Sequence, residues 1–397
     1  MKLNHYLMED ALESLIDYRG KTPKKSDEGI PTLSAKSVKN GYIDYGECYY
    51  ISPEEYKKFM VRGFPKVGDV LLTTEAPMGM VAKLDRDDVA IAQRLITLRG
   101  KEGVLDNDYL LYYLQSPIGQ HKLAERETGS TVTGIKQAAF RKIEIDIPDI
   151  EIQRKIAACL SCIDAKISTN KLINRNLEQQ IETHLMCSLE ADGAIPSKLG
   201  EYLYIKGRIG WKGLKKSEYL EYSDYRIING ESLTPSGIDW NKAGYISAER
   251  YEESPEIMLQ VGDILLSKDG TIGKIGYVDK LESPTSVASG IFVIRNTRQD
   301  IISTQFIYYL LKSKLFRAFI ENRTEGSVIP HLYQKDFMEF EFPLPRLEQM
   351  KKFDNVTASM FSNVFLNLSE NRSLSRLRDR LLPRLMSGEV DVSSIEI

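Results

Sequence analysis

The hydrophobic pattern of the chain is clearest in two long segments whose apolar residues recur at steps of three and four positions. One runs from about Glu151 to Leu189, and the other runs from about Leu347 to Met386. This spacing is typical of an α-helix with a narrow apolar seam that packs against one partner helix. We therefore predict two helices of about 40 residues, each about 60 Å long at ~1.5 Å per residue. Pro383 should kink the second helix or mark its last turn.

The seams of the two predicted helices contain polar residues at matching places. The seam residues are Ile156, Leu160, Ile163, Ile167, Asn170, Asn174 and Leu177 in the first helix, and Phe353, Met360, Val364, Asn367, Asn371 and Leu374 in the second. A buried asparagine lowers the stability of a coiled coil but fixes its register. We interpret the four asparagines in this way; the alternative is that the middle of both helices is frayed and solvated.

Each long segment follows a region in which short apolar runs alternate with turns that contain Gly and Pro. The runs predicted as strands are Asp69–Thr73, Leu95–Leu98 and Ile143–Ile147 in the first region, and Asp263–Ser267, Ile291–Arg295 and Phe340–Phe342 in the second. The stretches predicted as helices are Tyr109–Arg126 and Thr304–Asn322. Both regions are therefore predicted to be α+β domains. The predicted boundaries are 1–149 for domain 1, 150–190 for the first long helix, 191–343 for domain 2, and 344–397 for the second long helix and tail.

The chain repeats its own sequence. The matching segments are Val67–Leu72 (VGDVLL) and Val261–Leu266 (VGDILL), 194 positions apart, Tyr112–Leu114 and Tyr308–Leu310, 196 apart, and Gly129–Ser130 and Gly326–Ser327, 197 apart. An offset that drifts so little predicts two copies of one domain-plus-helix module. If the long helices pair with each other, a pseudo-two-fold axis makes them antiparallel and holds the domains at opposite ends of a rod.

Charge and composition limit the classes of function. The 397 residues include 53 Lys and Arg against 56 Asp and Glu, a formal net charge of −3. Residues 1–149 contain 21 cationic and 23 acidic residues, and residues 191–343 contain 19 and 21, so nucleic-acid binding would need local patches or a partner. The chain has neither a long apolar run nor a signal-peptide pattern, and its four cysteines do not suggest a disulfide scaffold. A soluble, cytoplasmic protein is expected.

Motifs for catalysis are absent from the sequence. It contains no GxxxxGK[ST] or GxGxxG loop and no Asn-Pro-Pro-Tyr or Asp-Pro-Pro-Tyr motif of DNA amino-methyltransferases, and its four histidines lack metal-ligand spacing. Cys159-x-x-Cys162 has no second CxxC and lies on a predicted helix, where small residues beside the seam explain it better than zinc. We predict no catalytic residue, no metal and no cofactor on this chain.

Two kinds of loop are candidates for binding a phosphate backbone. Glycine loops with hydroxyl residues can approach phosphates closely, and basic clusters near the start of each domain can pair with them. Trp211 adds a stacking or wedge residue to the second cluster. The candidate contacts are Arg19, Lys21, Lys24, Lys25, Gln93, Arg94, Ser130, Thr131, Thr133 and Lys136 in domain 1, and Lys206, Arg208, Trp211, Lys212, Lys215, Lys216, Lys268, Thr271, Ser327 and His331 in domain 2. The alternatives are tight structural turns and solvated charged loops.

The ordered set of repeated motifs resembles the specificity subunit of type I restriction–modification systems over essentially the whole chain. The motifs are the doubled VGD[VI]LL run, the doubled Gly-Ser loop, the helix starts at Ile147–Glu151 and Leu344–Gln349, and the C-terminal segment Leu377–Glu389. The resemblance implies an α+β fold with two similar α/β target-recognition domains separated by two long helices in an antiparallel coiled coil. It also implies a non-catalytic DNA-binding subunit. Each domain would read one half of an asymmetric bipartite site in double-stranded DNA, and the helices would set the spacer.

The resemblance further implies partners. The helices would dock two methyltransferase subunits and, through them, restriction subunits. S-adenosylmethionine, ATP and magnesium would be bound by those partners. The near-neutral domains leave open another class, a non-catalytic coiled-coil scaffold whose duplicated domains bind other proteins. The salt dependence of binding to random duplex DNA distinguishes the two classes.

Overall fold

The computed structural model describes residues 2–18, 20, 22–129, 133–208, 213–234, 237–324 and 331–395. The chain forms two compact units. Unit 1 comprises Met1–Thr169 with Glu370–Ile397, and unit 2 comprises Asn170–Ser369. Each unit therefore contains one mixed helix-and-sheet domain together with half of each long helix.

Unit 1 begins with the elements of domain 1. Its strands are β1 (Asn4–Leu7), β2 (Leu12–Asp17), β3 (Ile30–Leu33), β4 (Val38–Lys39), β5 (Tyr42–Ile43), β6 (Tyr49–Ile51), β7 (Val70–Thr74), β8 (Met78–Lys83), β9 (Ala90–Ile91), β10 (Leu95–Gly100) and β11 (Glu144–Ile147). Its helices are α1 (Met8–Ala11), α2 (Pro53–Phe59), α3 (Asn107–Gln115), α4 (Pro117–Ala124) and α5 (Gln137–Arg141), followed by the long α6 (Ile150–Leu189).

Domain 2 repeats this series, with a 3-10 helix at Leu199–Tyr202 in the place of α1. Its strands are β12 (Ile195–Lys198), β13 (Leu203–Gly207), β14 (Tyr225–Ile228), β15 (Leu233–Thr234), β16 (Gly237–Ile238), β17 (Gly244–Ile246), β18 (Ile264–Ser267), β19 (Ile275–Tyr277), β20 (Thr285–Val287), β21 (Ile291–Asn296) and β22 (Glu341–Leu344). Its helices are α7 (Ala248–Glu252), α8 (Thr304–Lys312), α9 (Lys314–Thr324) and α10 (Gln334–Met338), followed by the long α11 (Leu347–Met386).

The sheets have the same topology in both copies. In unit 1 a four-stranded antiparallel sheet has the order β2–β10–β7–β8, and a smaller sheet has the order β6–β3–β9 with β9 parallel to β3. In unit 2 the corresponding orders are β13–β21–β18–β19 and β17–β14–β20, with β20 parallel to β14. The pairs β1–β11 and β12–β22 bring each copy to the start of its long helix. The predicted duplication is therefore confirmed.

The four-stranded sheet is buried on both faces, which explains the unbroken apolar run in the repeated motif. Val70 and Leu72 of β7 belong to a core shared with α3 and the long helices, whereas Leu71 belongs to a second core shared with the smaller sheet. In unit 2, the residues of β18 divide between two cores in the same way. Because successive side chains of a strand point to opposite faces, a strand between two cores needs apolar residues at every position.

The aspartate of the repeated motif is held by an arginine on the neighbouring strand. Arg99 donates to both carboxylate oxygens of Asp69, at 2.7 Å from Nε and 2.7 Å from Nη2. The Asp69 carboxylate also accepts a hydrogen bond from the backbone N–H of Lys66 at 2.8 Å, which closes the turn before β7. In unit 2, Arg295 pairs with Asp263 at 2.7 and 2.8 Å. The motif therefore has a structural role, because it fixes the central strand against its neighbour.

The stretch predicted as one helix from Tyr109 to Arg126 is two helices, α3 and α4. The break falls at Ser116, whose extended backbone ends α3 and whose Oγ accepts a hydrogen bond from the N–H of Gly119 in α4. Pro117 is tolerated in the first turn of α4 but could not continue α3, because it has no N–H to donate. Domain 2 has the same break at Ser313, between α8 and α9. The single-helix prediction was wrong because the apolar periodicity continues across a break that is marked by the cap residue and, in domain 1, by Pro117.

The two long helices are confirmed as α6 and α11, with 40 residues each, and Pro383 lies in the last turn of α11. The two helices run antiparallel within unit 1. Lys166 contacts Glu370 at 3.3 Å, whereas Asp164, nearer the start of α6, contacts Arg378 at 2.8 Å, nearer the end of α11. Ile156 shares a core with residues still closer to the end of α11.

Within unit 2 the same antiparallel pairing includes the polar seam positions. Asn174 donates from Nδ2 to the carbonyl oxygen of Val364 at 2.9 Å, and its Oδ1 accepts a hydrogen bond from Asn367 Nδ2 at 2.8 Å. Asn170 is 0% exposed, Asn174 is 7% exposed and, in unit 1, Asn371 is 9% exposed. The middle of these helices is therefore packed rather than solvated, as the coiled-coil interpretation requires.

In each domain, a tyrosine at the same position of the repeat contacts the helix pair. In unit 1, Tyr112 donates its hydroxyl to Asp164 Oδ2 at 2.8 Å. Burial and the Asp164 carboxylate raise the pKa of Tyr112. In unit 2, Tyr308 instead packs its ring against Phe361 and Phe365, with centroids 5.9 Å away in each case. Equivalent positions therefore use polar contacts in one copy and aromatic contacts in the other.

Candidate nucleic-acid interface

The register of the main sheet brings several candidate loops of domain 1 to one end of that sheet. At the end of β2, Asp17 lies opposite Ile96, and at the start of β10, Leu95 lies opposite Thr73 near the end of β7. The loop after β2, the loop after β7 and the turn before β10 therefore emerge side by side. Most of the candidate contacts of domain 1 lie in these loops, although they are far apart in sequence.

The glycine-rich loop before α5 reaches the same end of the sheet. Glu75, just after β7, forms an antiparallel bridge with Gly134, and the N–H of Ile135 donates to the carbonyl of Thr74 at 2.9 Å. Thr133 and Lys136 flank this bridge and are exposed. We call this combined set of loops, residues 18–29, 75–77, 92–94 and 128–136 as far as they are described, the sheet-end surface of unit 1.

The described candidate cations of this surface are exposed. Lys24 and Lys25 are exposed, and the ammonium of Lys25 lies 4.8 Å from the centroid of the Tyr49 ring. The side chain of Arg94 is 50% exposed, with its Nε 3.0 Å from Glu75 Oε2, and Gln93 beside it is half-buried. The remaining candidates of domain 1 lie outside the residues that the structure describes: Arg19, Lys21, Ser130 and Thr131.

Unit 2 assembles an equivalent surface. Gly207 at the end of β13 lies opposite Phe292, and Ser267 at the end of β18 lies opposite Ile291, so the loops that follow β13 and β18 emerge together. His331 forms an antiparallel bridge with Asp269. We call residues 208–224, 268–273, 288–290 and 331–333, as far as they are described, the sheet-end surface of unit 2.

The candidates on the second surface differ in exposure. Lys206, at its edge, and Lys215, Lys216 and Thr271 are exposed, whereas Lys268 and His331 are half-buried. The Lys268 ammonium lies 5.1 Å from the centroid of the Phe292 ring, and His331 Nδ1 contacts Asp269 Oδ1. Trp211, Lys212 and Ser327 lie outside the described residues.

Arg208 lies inside domain 2, which corrects the surface position expected from the sequence. It is 2% exposed, and its guanidinium donates to the carbonyl of Val287 at 3.1 Å and to Ser286 Oγ at 3.2 Å. Burial and the neighbouring Arg250 lower the pKa of Arg208. A buried guanidinium needs partners for its N–H groups, and here β20 supplies them. Arg208 therefore anchors the loop after β13.

Sequence reasoning missed two residues of these surfaces, Glu75 and Tyr333. Glu75 lies at the repeat position of Asp269, 194 residues later, which the sequence did suggest as a possible contact beside Lys268 and Thr271. Tyr333 is 62% exposed, and its ring lies 4.5 Å from that of His331, centroid to centroid. The repeat offset of 197 could have identified it, since Tyr333 falls at the position of Lys136 in the other copy.

Neither a metal centre nor a membrane segment is present in the described part of the chain. No group of three or more His, Cys, Asp or Glu residues there could hold a metal ion. Cys159 is half-buried and Cys162 is exposed on α6, and both are free thiols. Among the described residues, no helix is long and apolar enough to cross a membrane.

Comparison with known proteins identifies the repeated unit. The family model of the type I restriction modification DNA specificity domain matches residues 11–179 and 197–375. The type I restriction enzyme MjaVIII specificity subunit of Methanocaldococcus jannaschii is 22% identical over 395 residues, which cover 92% of this chain and 90% of that protein. The MjaIX specificity subunit of the same organism is 25% identical over 389 residues, covering 92% and 88%.

A solved structure has the same fold. The S subunit of a type I restriction–modification system from M. genitalium matches with a TM-score of 0.61 at 19% identity, over 97% of this chain and 96% of that chain. Together, the duplicated fold and the family match define a DNA-recognition protein with two tandem domains. The chain belongs to the type I restriction–modification DNA specificity family, and its role is that of a specificity subunit that recognises a DNA target.

Proposed function

We propose that each unit reads one half of an asymmetric bipartite site in double-stranded DNA through its sheet-end surface. The convergence of the candidate loops at one end of the main sheet, in both copies, is the observation that supports this proposal. A single end that presents cations, amides and hydroxyls suits a DNA duplex, since phosphate contacts position a protein and contacts to base edges give specificity. Two different surfaces on one chain suit two different half-sites.

The cations of each surface would bind phosphates. Lys24 and Lys25 in unit 1 and Lys215 and Lys216 in unit 2 are exposed on the loops after the first strand of each main sheet. Because acids balance these cations within each domain, the electrostatic contribution to binding is local, and partner subunits would add to it. The weak net charge is therefore compatible with DNA recognition by an assembled complex.

The helix pair would dock two methyltransferase subunits and set the distance between the half-sites. Exposed apolar side chains support a docking role, because α6 leaves Leu172 60% and Ile173 42% exposed, and α11 leaves Leu366 65% and Leu377 47% exposed. Contiguous apolar side chains that point into solvent are typical of a surface covered by a partner, and Leu172 and Ile173 are adjacent on α6. Restriction subunits would join the complex through the methyltransferases.

Catalysis would belong to the partners. In this proposal the chain itself is non-catalytic, and S-adenosylmethionine, ATP and magnesium are bound by the methyltransferase and restriction subunits. The complex would act in the cytoplasm. A coiled-coil scaffold with two protein-binding domains is the competing class, and the match to a DNA specificity family over both copies disfavours it.

The proposal is tested by adding methyltransferase subunits stepwise to the purified chain. The chain alone should neither methylate nor cleave DNA, whereas the complex should methylate one bipartite motif that is found by sequencing methylated DNA. Binding to random duplex should weaken steeply with salt. Methyl transfer by the isolated chain, or binding that does not depend on salt or DNA sequence, would refute the proposal.

A further inference from the structure

We propose that Arg94 in domain 1 and His331 in domain 2 read bases in the major groove, and that an acidic side chain at one repeat position orients each of them. The acids are Glu75 and Asp269. This inference rests on the proposed function, because it assigns roles within the sheet-end surfaces. It goes further by distinguishing the side chains that contact bases from the acidic side chains that orient them.

Acidic side chains are unexpected on a surface that binds DNA, so the presence of these two carboxylates there needs an explanation. Glu75 and Asp269 both lie just after the central strand of the main sheet, on the surface proposed to face DNA. An unpaired carboxylate there would repel phosphates. Each acid is instead paired, Glu75 with Arg94 and Asp269 with His331. The partners come from different loops, since Arg94 precedes β10 and His331 precedes α10.

The geometry of Arg94 suits a guanine. Its Nε forms an ion pair with Glu75 Oε2 at 3.0 Å, which restrains the position of the guanidinium. Within the described residues, neither terminal nitrogen of Arg94 has a hydrogen-bond partner, and half of the side chain is exposed. Two parallel N–H donors from an arginine match the O6 and N7 acceptors of guanine, which is a bidentate contact that a lysine cannot make.

The backbone of Arg94 provides an independent reason to assign it a role. Its φ of +69° lies in the left-handed region, where a residue with a β-carbon costs about 1–2 kcal/mol. The equivalent residue in the other copy, 196 positions later, is Gly290, whose φ is not positive, so the strain is particular to domain 1. Strained backbone of this kind is concentrated at functional sites. An arginine in this strained conformation points to a role for its side chain.

His331 is oriented on two sides. Its Nδ1 contacts the Asp269 carboxylate, and the Tyr333 ring lies against it at 4.5 Å, nearly perpendicular. An ionised carboxylate only accepts hydrogen bonds, so Nδ1 carries the hydrogen and Nε2 is left to meet a base. A single ring nitrogen offers one hydrogen bond, so His331 should specify one base pair.

Gly290 accounts for the use of different loops in the two copies. A β-carbon at position 290 would lie 3.5 Å from Asp269 Oδ2. The turn before β21 in domain 2 (Ala288, Ser289 and Gly290) has no cationic side chain that could pair with the acid, and the acid pairs with His331 of another loop instead. The acid at one repeat position thus orients an arginine in domain 1 and a histidine in domain 2. Different base-reading side chains in the two domains are what an asymmetric DNA site requires.

The test maps the methylated motif made by the full complex, with variant chains and their methyltransferase subunits. Arg94→Ala and Arg94→Lys should each relax one G·C position in one half-site by about 5- to 150-fold and leave the other half-site unchanged. His331→Ala should relax one position in the other half-site only. Glu75→Gln and Asp269→Asn, which remove the charge but keep the shape, should relax the same positions as their partners, to a smaller extent.

Matched controls come from the opposite end of each sheet. Arg86→Ala and Arg298→Ala also remove a surface arginine that is paired with an aspartate, Asp88 or Asp300, and both should leave the motif unchanged. An unchanged motif in Arg94→Ala and His331→Ala would overturn the inference while the proposed function stands. Equal weakening for all DNA sequences would also overturn it, since that outcome indicates phosphate contact. A wild-type complex without a defined motif would overturn the proposed function itself.

Discussion

The spacer between the half-sites should change when both long helices are lengthened together. In unit 1 Lys166 contacts Glu370 across the helix pair, and in unit 2 Asn174 contacts Val364. Four residues inserted after Ser168 in α6, and four after Ser369 in α11, fall between these contacts. The paired insertion therefore leaves the antiparallel pairing within each unit intact.

The magnitude follows from helix geometry. Four residues add ~6 Å and turn the helix by ~400°, a net rotation of about 40°. One base pair advances ~3.4 Å and turns roughly 34–36°. The rotation matches one base pair, and the translation falls between one and two. We expect the spacer to gain one base pair while both half-sites stay the same.

Sequencing of the methylated motif is the assay for this prediction. A matched control inserts the same four residues in α6 alone, which leaves Asn174 four positions out of line with its partners on α11. This variant should lose thermal stability and complex assembly rather than acquire a longer spacer. If the paired variant methylates both half-sites at the original spacing, the helices do not set the distance and the proposed arrangement is refuted.

Three further predictions concern surface, seam and core. Replacing Lys215 and Lys216 with alanine should weaken binding to all duplexes and reduce the slope of log affinity against log salt by up to about 2. An unchanged slope would show that neither lysine contacts a phosphate. Replacing Asn174 and Asn367 together with leucine should raise the thermal midpoint but broaden the distribution of spacer lengths, because an apolar seam no longer fixes register; a single spacer would contradict that role. Asp69→Ala should lower the free energy of unfolding by about 3 kcal/mol in urea titrations, because it removes the buried bidentate partner of the largely buried Arg99 and leaves it only the more distant, exposed Glu13 at 3.8 Å. A loss below about 1 kcal/mol, the value of an exposed pair, would refute that reasoning.

Local periodicity was enough to identify the long helices and the repeat. The three-and-four spacing of apolar residues located α6 and α11 to within a residue or two of their ends, because that spacing is the direct consequence of helix geometry. Repeated short motifs revealed the duplication, because related folds keep their core strands. The same pattern missed the break at Ser116, because side-chain capping rather than periodicity ends α3 there.

The composition of the candidate surface was decided by tertiary structure. Antiparallel register places the turn of Arg94 beside Glu75 and the loop before α5, and no local pattern encodes that neighbourhood. The sequence also did not determine which charged side chains are exposed to solvent. Arg208 and Lys215 belong to the same basic cluster, yet Arg208 is buried against β20 while Lys215 is exposed. Sequence specifies which charges are present, but the packing of distant strands determines which of them reach solvent and which side chains they meet.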